Sequence, residues 1–256
     1  MTVTLTTWKK ELMSFFFNPV AYVILVLFYL FRGFEVQALT YTWIRADADV
    51  DKFPVSYLLG PSMYVMVVLV PPILTMRCFA EERRSGSLEV LLTAPVRDLE
   101  IVLGKWLAAV TFFAILWLPT LAILWALTTP SMLATPRAMG PVLAGYFGLA
   151  LAGGMLLAVG CFTSSLTDNQ LLASLSAILF NVGLFAAPRI LSAVLADQIH
   201  EHEWVARAID QVNISDHLTG WFMVGLVDTS RIVFFLAGTA LFLFLTVKSL
   251  EARQWR

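Results

Sequence analysis

The chain has 256 residues, 59% of them hydrophobic and only 14% charged, with a formal net charge of −1 and a mean hydropathy of +0.80. A soluble domain usually carries about 25% charged residues, so there is too little charge here to coat a water-facing surface. The bilayer is the expected solvent, with no separate soluble domain and no nucleic-acid partner.

In chain order, Leu5, Trp8, Leu12, Phe15 and Phe16 recur at helical spacing with Lys9, Lys10 and Glu11 elsewhere on the wheel. This predicts an amphipathic helix over 4–17 lying in the headgroup layer, and no cleavable signal peptide is expected. Asn18-Pro19 breaks it and turns the chain inward. Crossing the hydrocarbon layer takes about 20 apolar residues, and six segments meet or approach that length: 20–39, 57–76, 101–127, 141–163, 171–187 and 231–247.

The first span carries Arg32 and Glu35 on one helix face, with Arg32 about 18 Å along the axis from Val20. Charges at such depth pair or face water. Two readings are open: a pair snorkelling to the outer surface, or a polar lining at the outer mouth of a translocation path. Pro71-Pro72 and Pro119 are expected to kink the second and third spans.

Between those spans stands a charged island at 78–106 with Glu81, Glu82, Arg83, Arg84, Glu89, Arg97, Asp98, Glu100 and Lys105. Glu81 to Arg84 continue the second span out of the bilayer, Ser85-Gly86 break it, and Ser87 caps a short helix over 88–92. Thr93-Ala94-Pro95 stops that helix, and Asp98 is placed to cap the third span. The stub exposes Leu88, Val90, Leu91 and Leu92 beside charge, as a helix-in-groove contact requires. A plain amphipathic surface loop is the other reading.

In the fourth span Ala144, Gly148 and Ala152, and again Ala150, Gly154 and Ala158, form small-residue stripes suited to close packing within the chain. Asn181 in the fifth span is expected to donate an interhelical hydrogen bond. The outer segment, 188–230, places Leu191, Leu195, Ile199, His202, Val205 and Ile209 at helical spacing, which predicts an interfacial helix. The stretch 218–227 is too short to span and reads as re-entrant or surface-lying.

With the N-terminus inside, ten of the seventeen lysines and arginines fall on inner segments. The positive-inside rule therefore favours both termini in the cytoplasm. Cys78 and Cys161 form no metal or disulfide pattern and read as space-fillers. His200 and His202 would point apart on a helix, so no metal is expected. No GxxxxGK[ST], HExxH, GxSxG or CxxC occurs, which removes nucleotide binding by a Walker loop and leaves no nucleophile–base pair for an intramembrane enzyme.

The run EERRSGSLEVLLTAPVRDLEIVLGKWLA resembles the signature of membrane subunits of the type-2 ATP-binding-cassette exporter family. There the pattern E-E-[KR]-[KR]-x-G-[ST]-x-E-x-L-L-x-[ST]-P-[VI]-x-x-x-x-[IV]-x-x-G-K recurs between the second and third spans. Glu81, Glu82, Arg83, Arg84, Gly86, Ser87, Glu89, Leu91, Leu92, Pro95, Gly104 and Lys105 match, and Ala94 departs. The likeness extends over essentially the whole chain and is greatest to permeases of the gliding-motility and copper-maturation type. It implies an all-α membrane protein of the bacterial inner membrane: six spans, an N-terminal interfacial helix and a cytoplasmic coupling helix between the second and third spans, in one domain over 1–256.

On that resemblance Glu81, Glu82, Arg83, Arg84, Gly86, Ser87, Leu88, Glu89, Leu91 and Leu92 would couple to a separate ATPase, present in two copies, that holds the ATP and magnesium. This chain would itself carry no cofactor. It would pair with a second permease copy or a homologous permease, among membrane lipid. The alternative is a non-transporting scaffold or sensor that engages an ATPase to act on envelope components.

Overall fold

In a computed structural model the described residues are 3–46, 53–86, 97–127, 136–195 and 203–254. They form helices α1 (Val3–Phe17), α2 (Pro19–Ala46), α3 (Phe53–Leu58), α4 (Pro61–Thr75), α5 (Ala80–Arg84), α6 (Asp98–Leu127), α7 (Pro136–Leu166), α8 (Gln170–Val194), α9 (Glu203–Val212) and α10 (Thr229–Gln254). No strand occurs among the described residues. Six helical stretches are long and apolar enough to cross a membrane, and each overlaps one of the six expected segments.

The second span is where the sequence expectation needs correcting. Residues 57–76 are not one helix: α3 ends at Leu58, and α4 starts afresh at Pro61 with Gly60 extended at its N-cap. Pro61 causes the break, since its ring forces the preceding residue out of helical conformation while suiting the first position of a new helix. Asp98 likewise stands in the first turn of α6 rather than ahead of it. The continuation of the second span into Glu81–Arg84 passes through a turn at 76–79 before α5.

The prolines inside α4 and α6 do not end those helices. Pro72 has no N–H for the carbonyl of Val68 four residues back. The side-chain amide of Asn181, on α8, donates to that carbonyl at 3.3 Å. The neighbouring helix thus replaces the missing bond, which is how membrane helices tolerate proline.

Helix α7 lies at the centre. Its small residues receive large ones: a Cβ on Gly148 would strike Phe222, one on Gly153 would strike Phe113, and one on Gly160 would strike Thr75. Trp106 donates to the carbonyl of Gly154 at 2.9 Å. The stripe is used for packing within the chain, as expected. Helix α2 is peripheral and exposes Tyr22, Val26, Leu30 and Phe34 on its outer face.

The outer segment differs from a single interfacial helix over 191–209. Leu191 belongs to α8 and Leu195 caps it, while Val205 and Ile209 belong to α9. Ile199 and His202 lie outside the described residues. After α9, a π-helical turn (His217–Trp221) and a 3₁₀ turn (Phe222–Val224) bury Leu218, Phe222 and Met223 in the bundle. The first part of the stretch is thus packed into the bundle, while Val224, Leu226 and Val227 stay exposed.

Candidate functional site

The charged island is built from four helix ends. Ser164, near the end of α7 and fully buried, organises its start. Its hydroxyl accepts from the N–H groups of Phe79 (3.1 Å) and Ala80 (3.2 Å) and donates to the carbonyl of Met76 (3.2 Å). Two orphan donors at the head of α5 are thereby satisfied. Arg83 then donates to the carbonyl of Ser165 at 2.8 Å, fastening α5 to the end of α7. At its far end α5 stops on Gly86, whose φ of +72° is the left-handed conformation that glycine takes without strain.

Lys105, in the second turn of α6, is 3% exposed. Its ammonium lies 2.7 Å from Glu82 on α5 and 3.0 Å from Glu11 on α1, and 5.4 Å from the centre of the Phe79 ring. A buried ammonium needs such partners, because desolvation otherwise outweighs the attraction it gains. One charge thus ties together three helices that are far apart in sequence. Gly104 makes the third tie possible: a Cβ there would stand 2.7 Å from the Cβ of Thr7 and 3.0 Å from the carbonyl of Thr4. Helix α1 can approach only because that Cβ is missing. Further along, Trp8 donates to Thr111 at 3.0 Å and Phe15 stacks on Phe112 at 5.1 Å.

The predicted coupling residues therefore divide. Glu82 and Arg83 are half-buried and turned into the protein, whereas Glu81 and Arg84 are exposed. Gly86 ends α5. Ser87, Leu88, Glu89, Leu91 and Leu92 lie outside the described residues. The partnership of Glu82 with Lys105 and Glu11 was missed in the sequence, although the glycine-lysine that closes the motif was its signal.

A second polar cluster sits at the opposite end of the bundle. Arg32 is fully buried and does not snorkel. Its guanidinium donates to Glu35, to Ser62 Oγ (3.0 Å) and to the carbonyl of Tyr57 (3.0 Å), and stacks on the Tyr57 ring at 3.8 Å. The Glu35 carboxylate also accepts from the Ser62 N–H (3.3 Å) and hydroxyl. It therefore caps the start of α4, where free N–H groups and the helix dipole favour negative charge. Gly60 leaves room for that carboxylate, which a Cβ would overlap. The break at Pro61 thus creates the seat for Glu35.

Cys78 and Cys161 are free and buried in one apolar cluster. No group of three metal-ligating side chains occurs among the described residues. His200, Glu201 and His202 lie outside them.

Compared with known proteins, residues 33–247 match the family described as "ABC-2 family transporter protein". No curated protein matches the chain.

Proposed function

Since the chain belongs to the ABC-2 transporter family, and so is a multi-pass membrane component of an ABC transporter, we propose that it is the permease of an ATP-driven exporter, worked through the segment 78–100. The family generally implies an ABC ATPase partner, which is where nucleotide chemistry would reside. In our reading two permeases, identical or homologous, engage two ATPases at the bacterial inner membrane, with both termini cytoplasmic.

The observation that carries this reading is the Glu82–Lys105–Glu11 bridge. Force applied to the exposed side of α5 reaches α6 and α1 through one buried ammonium, and reaches α7 through Arg83. Glu81 and Arg84 on the exposed side are the docking contacts, with the segment after Gly86 seating in the ATPase groove. ATP binding then shifts the permease between two conformations only as far as ATPase contact energy differs between them.

The two roles separate experimentally. Glu81→Lys with Arg84→Glu should abolish co-purification of the ATPase while leaving the permease in the membrane. Glu82→Gln should keep the ATPase bound but lower transport-linked ATP hydrolysis about tenfold, and Gly86→Pro should also uncouple. If co-purification and stimulated hydrolysis survive all of these, the coupling assignment fails.

A further inference from the structure

A cavity of about 500 Å³ opens beside this bridge, between the second half of α1, the first turns of α2 and the end of α4 with α5. Its depth is apolar, formed by Ile24 (7% exposed) and Leu74 (2% exposed) together with Ile73, and Phe17 stands 85% exposed at its edge. Its polar wall holds three cations, Lys10, Arg77 and Lys105, and three carboxylates, Glu11, Glu81 and Glu82.

Glu11 and Glu82 are already engaged by Lys105. Arg77 is different: it is half-buried, lines the cavity, and its side chain makes no hydrogen bond or ion pair among the described residues. A partly desolvated guanidinium without an acceptor is costly, and its fork of donors suits phosphate or carboxylate oxygens best. A soluble anion would answer Arg77 but leave the apolar depth uncovered. With that bridge engaged, Lys10, Arg77 and Glu81 are the charges left to a ligand, two cations and one carboxylate, which suits a phosphate that carries an ammonium beside it. Cavities of this volume are the usual size for a small amphiphile, and basic pockets between membrane helices hold lipid headgroups.

We propose that this cavity, whose rim carboxylate Glu81 is shared with the ATPase-facing side assigned above, binds a zwitterionic phospholipid of the phosphoethanolamine class. The phosphate lies on Arg77 and Lys10, the ammonium faces Glu81, and the first acyl carbons run over Ile73 and Ile24. The bound lipid thereby braces α1 against α2 and α4, beside the bridge that joins α1 to α5.

Native mass spectrometry of the intact chain, released from detergent, tests this with three probes: phosphatidylethanolamine, phosphatidylglycerol with the same acyl chains, and soluble glycerophosphoethanolamine. One phosphatidylethanolamine should bind per chain, at least about tenfold more tightly than phosphatidylglycerol, and the soluble headgroup should not bind. Arg77→Ala should weaken the lipid about tenfold, with Arg77→Lys recovering part of the loss. Ser14→Trp fills the cavity from an exposed position that carries no core packing, and should abolish binding in a folded protein. Equal binding of the two lipids, binding of the soluble headgroup, or undiminished binding in Arg77→Ala and Ser14→Trp would overturn the proposal.

Discussion

His217 shows how a single side chain is fixed by what its neighbours can donate. It is fully buried in the turn before α10. An arginine only donates, so the 2.6 Å contact from Arg231 makes His217 Nδ1 the acceptor, and Nε2–H donates to the carbonyl of Gln211 at 3.0 Å. Burial pushes the imidazole below its ordinary value, and Arg231 adds to this. The Gln211 carbonyl, Asp216 and Asp228 pull the other way. The folded state thus resists protonation, while the unfolded chain takes up a proton as pH falls through about 6.5. Stability should therefore be constant above neutrality and decline on acidification. Melting in detergent should show a lower midpoint at pH 5.5 than at pH 7.5, and His217→Asn should flatten that dependence.

Gly104 is the other decisive residue at this scale. Gly104→Ala places a methyl group 3.0 Å from the backbone carbonyl of Thr4, so α1 must move. The cost should be about 1–3 kcal/mol, as for other overpacked sites, with amide exchange quickened in α1 and unchanged in α7.

Among elements, the joint between α4 and α8 is a proline compensated from outside its own helix. Pro72 leaves the Val68 carbonyl without a helical donor, and Asn181 supplies one. The two substitutions should therefore be coupled. Asn181→Leu should destabilise the parent by about 0.6–1.7 kcal/mol, but should cost little in a Pro72→Ala background, where the helix restores its own N–H. A double-mutant cycle on unfolding measures this, and strict additivity would show that Asn181 serves some other partner. The break between α3 and α4 follows similar logic. Pro61 interrupts the span, and the exposed start of α4 is then capped by Glu35 from α2. A polar pair in an apolar span is thus explained by a neighbouring helix end rather than by the lipid surface.

For the molecule as a whole, the arrangement of charge predicts orientation. The α1–α5–α6 bridge should lie on the cytoplasmic side and α9 on the outer side. The two native cysteines are buried, so the unmodified chain supplies the background for labelling. Ser85→Cys should react with an impermeant maleimide only in inside-out vesicles. Val212→Cys, at a position 47% exposed, should react only in right-side-out ones. The opposite pattern would reverse the assigned topology.

Hydropathy alone determined the six spans, because a segment without charge must leave water wherever it stands in the fold. The proline and glycine positions also marked helix ends, at Gly86 and at the Asn18-Pro19 break. Local chemistry did not reveal which charges meet. Glu11, Glu82 and Lys105 look like three solvated ends of three helices, and only packing brings them to a common point. Arg32 and Glu35 read as a pair on one face, yet their burial depends on a helix start that comes from a different span. The sequence determines where the chain must enter the membrane, since transfer free energy adds residue by residue. Tertiary structure alone decided which polar groups satisfy one another, because that depends on distances between segments that no local pattern encodes.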